Sequence, residues 1–555
     1  MRAFLTALAV IALAPAAALA ADLYLVNGKV FTGDDARPTA SAIAVRDGKI
    51  AAVGDDAAVQ AMAAGRAVDL GGRLVVPGLI EAHGHTGASS GARDAPMANL
   101  PWPGPTPEQA LAAVSAAASQ GPGWIEATIG PLVVNDNRDW RAALDAAAPN
   151  NPVMMRPWWG HGTLMNSAAL KALGVADDAG DPPGGWYGRR PDGRLDGRAR
   201  ENAEWRLGRT RTAALPVETF AAAYRATAEL YAGWGVTTYH QMLNNQALAD
   251  ALPALRMAGL PIKWRVYGWA MPESRVEDAW SQFEGQPAKE GPVRVAGIKW
   301  VLDSTPIERD AHMSVPYADR PGWRGRSNYT DDQLRDMLRA ILAHPDQQPA
   351  FHVSGDGEVA RLLDAMEAAA PATTWRARRV RIEHADGLVP SRFEQAKRLG
   401  VVVIQNPLHL DPMPDAKGVP LIVARLGDRA REFELLKTLV AAGVPFALGS
   451  DAGGPPANPF LNMMIAIASP NAPTEGLTRE QALIAYTRGG AFAEGEEALK
   501  GRIALGMAAD LAVLSQDILT VPLGALPATR SLLTLVDGAS VHAEGPFAAL
   551  AAQGR

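Results

Sequence analysis

The chain has 555 residues, of which 48% are hydrophobic and 20% are charged, a balance typical of folded globular proteins and not of disordered ones. Its 53 basic and 59 acidic residues leave a net charge of -6, so no basic excess exists to neutralise a phosphate backbone, and nucleic-acid binding is not expected. Cysteine is absent, which excludes disulfides, cysteine-ligated zinc and a cysteine nucleophile.

The first twenty residues, 1–20, predict an export signal. Arg2 supplies a positive start, residues 4–13 are mostly apolar, and Ala18-Leu19-Ala20 has the small-x-small pattern of a cleavage site. The apolar run is too short to span a membrane, and no later segment approaches about 18 unbroken apolar residues. We therefore expect cleavage before Ala21, no membrane span in the mature chain, and a periplasmic or secreted protein.

Both ends of the mature chain predict short β-strands. Residues 21–76 alternate apolar runs with turn residues, and Asn27-Gly28 between two of these runs is a strong hairpin signal. Similar runs recur at residues 511–514 and 531–536. Two β-rich ends that flank a long middle predict one composite β-sandwich domain, completed by residues 503–555.

The middle of the chain, residues 77–502, alternates short apolar runs with alanine-rich helical stretches, which predicts βα units and a parallel sheet. Eight such strands predict an α/β fold with a (β/α)8 TIM barrel. The predicted strands are residues 79–83, 236–240, 262–267, 295–301, 350–353, 380–384, 401–405 and 446–450. The gap between the first two strands is too long for one connection, so we expect an insertion at about residues 86–215.

Polar side chains of the kinds found in metal sites lie within or at the ends of several predicted strands. They are His83 and His85 after the first strand, Lys299 within the fourth, His352 and His384 near the ends of the fifth and sixth, and Asp451 after the eighth. Because TIM barrels carry their active sites at the carboxyl ends of their strands, we expect these side chains to converge. Neutral imidazoles with a carboxylate suit zinc or a similar transition metal. The alternative, in which these are core histidines, a surface lysine and a turn aspartate, explains less of the pattern.

The segment from Val76 to His85 resembles the opening motif of the amidohydrolase superfamily, and within it the chain is similar to the amidohydrolase 3 family, which includes N-substituted formamide deformylases. The resemblance covers nearly the whole mature chain. Further matching segments are Gly297-Ile298-Lys299, Arg381-Ile382-Glu383-His384, Gly449-Ser450-Asp451, and residues 161–170, 192–197 and 500–511. The chain departs from the family pattern at Ser354, where relatives usually carry an isoleucine, and at Glu81, where an aspartate is more usual.

This resemblance implies a hydrolase that cleaves a C–N bond other than a peptide bond with a metal-activated hydroxide. It implies two divalent cations, expected to be zinc: one held by His83, His85 and Asp451, the other by His352 and His384, with Lys299 bridging them as a carbamate. Asp451 is expected to move the proton during catalysis. A plain ammonium cannot bridge two cations because it has no lone pair, so the alternative is a single metal with Lys299 directed elsewhere.

Four further residues are predicted to contact the substrate, a small amide-type molecule. They are His161 and Asn166 in the insertion, and Gln405 and His409 after the seventh strand. For each of them, a purely local role such as a helix cap or a loop hydrogen bond is the alternative. The aromatic residues Trp158, Trp159, Trp186 and Tyr187 predict either a wall of the same pocket or a small core of the insertion.

Other functions remain compatible with the same residues. An N-acyl amino acid or dipeptide hydrolase and a deaminase would use the same metal site, since one fold carries many substrates. A non-catalytic periplasmic binding protein is an alternative of a different class, but a binder has no need of Lys299 or Asp451, and this chain has both. The sequence leaves the oligomeric state open, a homo-oligomer included.

Overall fold

The structure is a computed structural model that describes residues 23–61, 65–97, 104–410, 414–415, 417–452 and 457–553. The predicted export signal lies outside these residues. Within them, no helix is both long enough and apolar enough to cross a bilayer.

Seven short strands and one helix open the described chain. They are β1 (Leu23–Val26), β2 (Lys29–Phe31), β3 (Thr39–Ala40), β4 (Ala42–Arg46), β5 (Lys49–Gly54), α1 (Asp56–Gln60), β6 (Arg66–Asp69) and β7 (Leu74–Pro77). The predicted hairpin at Asn27-Gly28 is wrong, because β1 pairs with β4 and β6 whereas β2 pairs with β3 and β7. Leu25 and Val30 share one buried core, so the turn carries the chain from one sheet to the other across that core.

The first barrel strand, β8 (Leu79–Gly84), is followed by an insertion with a sheet of its own. Its strands are β9 (Arg93–Asp94), β10 (Ile125–Ile129), β11 (Val153–Pro157), β12 (Thr163–Met165), β13 (Gly185–Arg189) and β14 (Leu195–Glu201). Its helices are α2 (Pro107–Ala118), α3 (Pro131–Val134), α4 (Trp140–Ala147), α5 (Ser167–Ala172) and α6 (Asn202–Thr212). The strands are ordered β13-β14-β12-β11-β10-β9, a mixed sheet that the sequence pattern did not predict.

The remaining barrel strands alternate with helices. The strands are β15 (Val236–Leu243), β16 (Lys263–Trp269), β18 (Val293–Val301), β19 (Gln348–Val353), β20 (Arg381–His384), β21 (Val402–Gln405) and β22 (Phe446–Leu448), with the short β17 (Lys289–Glu290) beside β18. The helices are α7 (Val217–Ala232), α8 (Leu248–Ala258), α9 (Asp331–Ala343), α10 (Asp356–Ala369), α11 (Ala372–Arg378), α12 (Phe393–Leu399), α13 (Leu421–Leu426) and α14 (Leu436–Ala442).

All eight predicted barrel strands are confirmed. They form one parallel sheet in the order β22-β21-β20-β19-β18-β16-β15-β8. The sheet nearly closes on itself, because the Asp451 N–H donates to the carbonyl of His83 at 2.9 Å and Gly84 pairs with Ala452. The fold is therefore a (β/α)8 barrel, as predicted.

Alternation of side chains along the strands turns the polar residues inward. On β18, Ile298 and Trp300 pack into the apolar core between strands and helices, while Lys299 between them lines the barrel's inner cavity. The same alternation on β19 turns His352 inward. The strand pattern thus separates the apolar core from the candidate site.

The chain ends with helices α15 (Pro459–Ala468), α16 (Arg479–Ile484) and α17 (Gly490–Ala493) and strands β23 (Leu511–Leu514), β24 (Ser531–Val536) and β25 (Ala539–Ala543). The last three strands join the first part of the chain in a six-stranded sheet ordered β25-β24-β23-β7-β2-β3. Its apolar side chains share one core with those of the sheet that contains β1. Strands from both ends of the chain therefore form the predicted composite β-sandwich.

Candidate active site

Three of the predicted metal ligands meet where β8 and β22 end. Oδ1 of Asp451 lies 3.2 Å from Nε2 of His83 and 3.1 Å from Nε2 of His85. The two histidine nitrogens are 3.3 Å apart. The donor atoms all lie within 4.8 Å of one another, so they can share one cation.

Both histidines of this group are oriented by a bond on their other ring nitrogen. Nδ1 of His83 lies 2.6 Å from the buried carboxylate of Glu383, and Nδ1 of His85 lies 3.1 Å from the carbonyl oxygen of Met242. Burial alone would raise the pKa of Glu383, but the charge of Arg381 and the hydrogen bond from the His83 ring outweigh it and hold that pKa well below its usual range. With Nδ1–H donating to an ionised carboxylate or a carbonyl, each Nε2 keeps a lone pair for a cation.

A second pair of histidines lies against the first. The ring centroids of His352 and His384 are 4.4 Å apart, and the ring of His384 is 5.0 Å from that of His83. Burial lowers the pKa of His352 and of His384 well below its usual value, so both rings are neutral and able to donate a lone pair. Nδ1 of His384 lies 2.8 Å from Oδ1 of Asn406, which directs its Nε2 away from that neighbour.

Lys299 lies between the two groups of histidines. Its charge acts on both His85 and His352, and its Nζ is 5.7 Å from the ring centroid of Trp269. The amine is buried, and burial lowers its pKa to about 8. Among the described residues, neither Nζ of Lys299 nor Nε2 of His352 has a hydrogen-bond partner.

These observations fit a divalent cation. Buried polar atoms are rarely left without partners, and here two such nitrogens lie within a cluster of imidazoles and one carboxylate. Nitrogen and oxygen donors of this kind are those that zinc prefers in catalytic sites.

A cavity of about 700 Å³ opens onto this cluster. At its base lie His85, Lys299, His352, His384 and Asp451. Its walls are mainly aromatic and aliphatic and are formed by Trp158, Trp159, Trp205, Trp269, Leu408, Leu421, Ile422 and Phe433. The predicted aromatic wall thus includes Trp158 and Trp159, whereas Trp186 does not line this cavity. The volume suits a small-molecule substrate.

Two of the four predicted substrate residues line this cavity. Nε2 of His409 lies 3.4 Å from Oδ2 of Asp451, and its Nδ1 lies 3.4 Å from Asp386. Nδ1 of His161 lies 3.0 Å from Glu201, and its ring centroid is 4.7 Å from that of His352. Burial opposes protonation of His161, but the negative charge of Glu201 outweighs it and raises the pKa of this histidine to about 9.

The prediction that Asn166 contacts substrate is corrected by the structure. Its Oδ1 accepts hydrogen bonds from the N–H groups of Val153 and Ala169 at 3.0 and 2.9 Å. Its amide donates to the carbonyls of Ala148 and Asn151 at 3.1 and 2.8 Å. The side chain is fully buried and does not line the cavity, because all of its polar atoms cap α5 and bind the surrounding main chain.

The prediction for Gln405 is corrected in the same way. Its Nε2 donates to the carbonyl oxygen of His384, and the residue does not line the cavity. His384 has a left-handed φ of 69°, a costly conformation for a residue with a side chain. Gln405 therefore holds the backbone of a predicted metal ligand and positions it, without reaching the substrate space.

Sequence reasoning missed the carboxylates that support the site. The sequence shows Glu383 only as part of a motif, although its carboxylate lies 2.6 Å from Nδ1 of His83. Glu81 received no role, yet its Oε1 accepts a hydrogen bond from the N–H of Ser450 at 2.6 Å and so holds the turn that carries Asp451. Asp386, behind His409, also had no separate signal. The position of Glu383 directly before a ligand was the one clue available.

Known proteins resemble this chain in sequence and in fold. The model of the Amidohydrolase family matches residues 66–542. Protein LONG AFTER FAR-RED 3 of Arabidopsis thaliana is 29% identical, over 91% of this chain and 88% of its own. N-substituted formamide deformylase of Arthrobacter pascens is 26% identical, over 93% of this chain and 97% of its own. An uncharacterized metal-dependent hydrolase from Pyrococcus horikoshii, 22% identical, has a similar fold with a TM-score of 0.67, covering 91% of this chain and 99% of that chain. The chain belongs to the amidohydrolase family.

Proposed function

We propose that the protein is an exported metal-dependent hydrolase that cleaves an amide-type C–N bond in a small molecule. The observation that carries this proposal is the carboxylate of Asp451, which lies 3.1 to 3.4 Å from nitrogens of His83, His85 and His409 at the base of the cavity. This arrangement combines cation ligands, a proton acceptor and a substrate space in one place. The family membership of the chain supports hydrolysis as the reaction.

The donors are proposed to hold two zinc ions. His83, His85 and Asp451 would bind the first, and His352 with His384 would bind the second. A divalent cation in such a site polarises a carbonyl and lowers the pKa of water toward neutrality. Support comes from the three donor atoms within 4.8 Å and from the neutral state of the second pair of imidazoles.

Lys299 is proposed to join the two sites as a carbamate. Its amine would attack carbon dioxide, forming an N–C bond and losing a proton, so that the side chain ends in a carboxylate. Burial favours this reaction because it lowers the pKa of Lys299 to about 8 and so increases the fraction of neutral, nucleophilic amine. A carboxylate would also remove the mismatch between a buried ammonium and neighbouring cations.

Asp451 is proposed to move the proton. Burial would raise the pKa of this carboxyl, but the surrounding imidazoles of His83 and His384 and a hydrogen bond from His409 outweigh it and hold the pKa well below its usual range. The carboxylate is therefore ionised at neutral pH and can accept a proton from attacking water. The same oxygen can then return the proton to the leaving nitrogen.

The cavity walls are proposed to select a substrate with an apolar substituent. Trp269 and Trp205 lie in edge contact, with ring centroids 4.5 Å apart, and both face the cavity. His161, held by Glu201, offers a hydrogen bond to a substrate oxygen. An apolar wall with a few placed polar groups is the usual design of a small-molecule pocket.

The test is a substrate screen on purified, zinc-loaded mature protein. Simple amides, N-formyl amines, N-acyl amino acids, dipeptides and amino-purines are compared, and carboxylate, amine and ammonia products are measured separately. We expect turnover of at least one amide-type substrate, abolished by chelation and reduced at least ~100-fold in Asp451→Asn. The matched control Asp346→Asn, at an exposed loop position, should retain activity.

A binding protein without catalysis would bind members of the same panel and release no product. Release of ammonia from an amino-purine, with the amides untouched, would replace the amidase with a deaminase. Turnover that survives both chelation and Asp451→Asn would refute the proposed site.

A further inference from the structure

A second cavity, of about 620 Å³, lies between the insertion and the segment that follows β18. Glu308 lines this cavity, and its carboxylate accepts a hydrogen bond at 2.9 Å from the indole N–H of Trp159, which lines the candidate active site. Five arginines contribute to the lining: Arg198, Arg200, Arg309, Arg320 and Arg326. Nothing in the proposed reaction uses this space.

Two of these arginines are already paired with carboxylates. Nη1 of Arg198 lies 3.0 Å from Asp196, and Nη2 of Arg309 lies 2.7 Å from Asp319. These pairs keep the two guanidinium groups occupied.

The carboxylates of the lining are also occupied. Asp136 is bound by Arg138 at 2.7 Å, and Asp310 faces Arg200 at 4.0 Å. Glu308 accepts hydrogen bonds from the backbone N–H of Thr305 at 2.7 Å and from the indole N–H of Trp159 at 2.9 Å. The five arginines of the lining outnumber its four acids, and two of these acids also pair with Arg138 and Arg425 outside the lining, so the cavity keeps a net positive charge.

Arg320 and Arg326 carry this remaining charge. Among the described residues, neither side chain has a carboxylate within 4.0 Å, although the charge of Arg326 acts on Asp310 from a longer distance. Each guanidinium instead stacks on an indole: Arg320 is 5.0 Å from the ring centroid of Trp323, and Arg326 is 4.6 Å from that of Trp186. Stacking on a ring face holds a guanidinium in place and leaves its in-plane N–H groups free to donate.

Arg200 adds a buried donor. Its side chain is 8% exposed and lies 5.8 Å from the ring centroid of Trp186. Its Nη1 donates to the carbonyl oxygen of His161 at 3.2 Å, whereas its Nε, 4.0 Å from Asp310, has no hydrogen-bond partner among the described residues. A buried charged donor without a partner is costly unless something else satisfies it.

We infer that this cavity is a binding site for an oxyanion, the carboxylate or phosphate group of a small molecule, with Arg326, Arg320 and Arg200 as donors. Guanidinium groups bind such planar or tetrahedral oxyanions through paired N–H bonds. The site is separate from the metal cluster, and the inference does not depend on the proposed hydrolase function.

The test is calorimetric titration of the full mature protein with inorganic phosphate and with citrate, before and after removal of metal by chelation. We expect one anion to bind at one site per chain with the same affinity in both states. The phosphate and citrate arms tell which oxyanion the site prefers. Arg326→Ala and Arg320→Ala should each weaken binding about tenfold or more, as expected for loss of a charged hydrogen bond.

Two further variants keep the result interpretable. Arg326→Lys retains the charge but not the planar fork or the stack, and should weaken binding less than alanine does. Arg335→Ala, an exposed arginine on α9, should leave binding unchanged. The inference is overturned if neither anion binds, if binding disappears on chelation, or if Arg326→Ala and Arg320→Ala both bind the anion like wild type.

Discussion

Replacing Glu383 with glutamine tests whether this carboxylate orients His83 for metal binding. The carboxylate is buried, accepts from Nδ1 of His83 at 2.6 Å, and pairs with Arg381 at 2.6 Å. Glutamine is nearly isosteric but neutral, and its amide can present an N–H to Nδ1 in place of an acceptor. Loss of such a support typically costs 10- to 100-fold in metal affinity, about 1.4 to 2.7 kcal/mol. Arg381 would also lose the partner of a buried pair, which costs about 3 to 5 kcal/mol of folding stability.

The two effects of Glu383→Gln are separated by two assays. Zinc affinity is measured by competition with a chromophoric chelator, and the free energy of unfolding by denaturant titration of metal-free protein. Glu394→Gln, at an exposed position of α12, is the matched control and should change neither quantity. If Glu383→Gln binds zinc as tightly as wild type while remaining folded, His83 is not a ligand held by this carboxylate.

Three other predictions follow from the same contacts and from the sequence. Lys299→Ala should lose activity and partly recover it when a short-chain carboxylate is added to the assay. Mass spectrometry of the wild-type site should show a carboxylate group on Lys299, and an active enzyme with an unmodified lysine would contradict the carbamate. Pairing with Glu201 raises the pKa of His161 from the ordinary histidine value of 6.5 to about 9. The stability that this pair gives the folded state is therefore fully present below pH 6.5 and is lost as the pH rises through about 9. The difference in unfolding free energy between metal-free wild type and His161→Gln should therefore shrink over that range, by on the order of 3 kcal/mol, whereas a constant difference would refute the pairing. Protein recovered from the native host should begin near Ala21, and an intact Met1 on the recovered protein would exclude the export signal.

The barrel strands and the positions of the candidate ligands were predictable because strand periodicity and strand ends are local features. His83, His352 and His384 each follow or end an apolar run, and parallel strands carry such ends to one edge of the sheet. Lys299 was predicted to lie within the fourth strand, and the structure turns it inward between two apolar residues that pack outward. No knowledge of distant pairing was needed for these positions.

The misses all depend on contacts between distant parts of the chain. Asn166 is a polar residue next to a helix start, and only the surrounding carbonyls show that its hydrogen bonds are fully used. Asn27-Gly28 has the local chemistry of a hairpin, but the strands on either side bury their apolar faces in two different sheets. Glu383 supports His83 from 300 positions away along the chain. The mixed sheet of the insertion was missed because its strands are irregularly spaced along the chain.

The central claim is that metal held by the histidine cluster makes this chain a hydrolase. Metal-free protein is titrated with zinc, and metal content and hydrolysis of the best substrate from the screen are measured on the same samples. We predict that hydrolysis is absent without metal and rises with bound zinc to a plateau near about two ions per chain, as expected for a two-site cluster. Full activity in protein shown to contain no metal would contradict the claim.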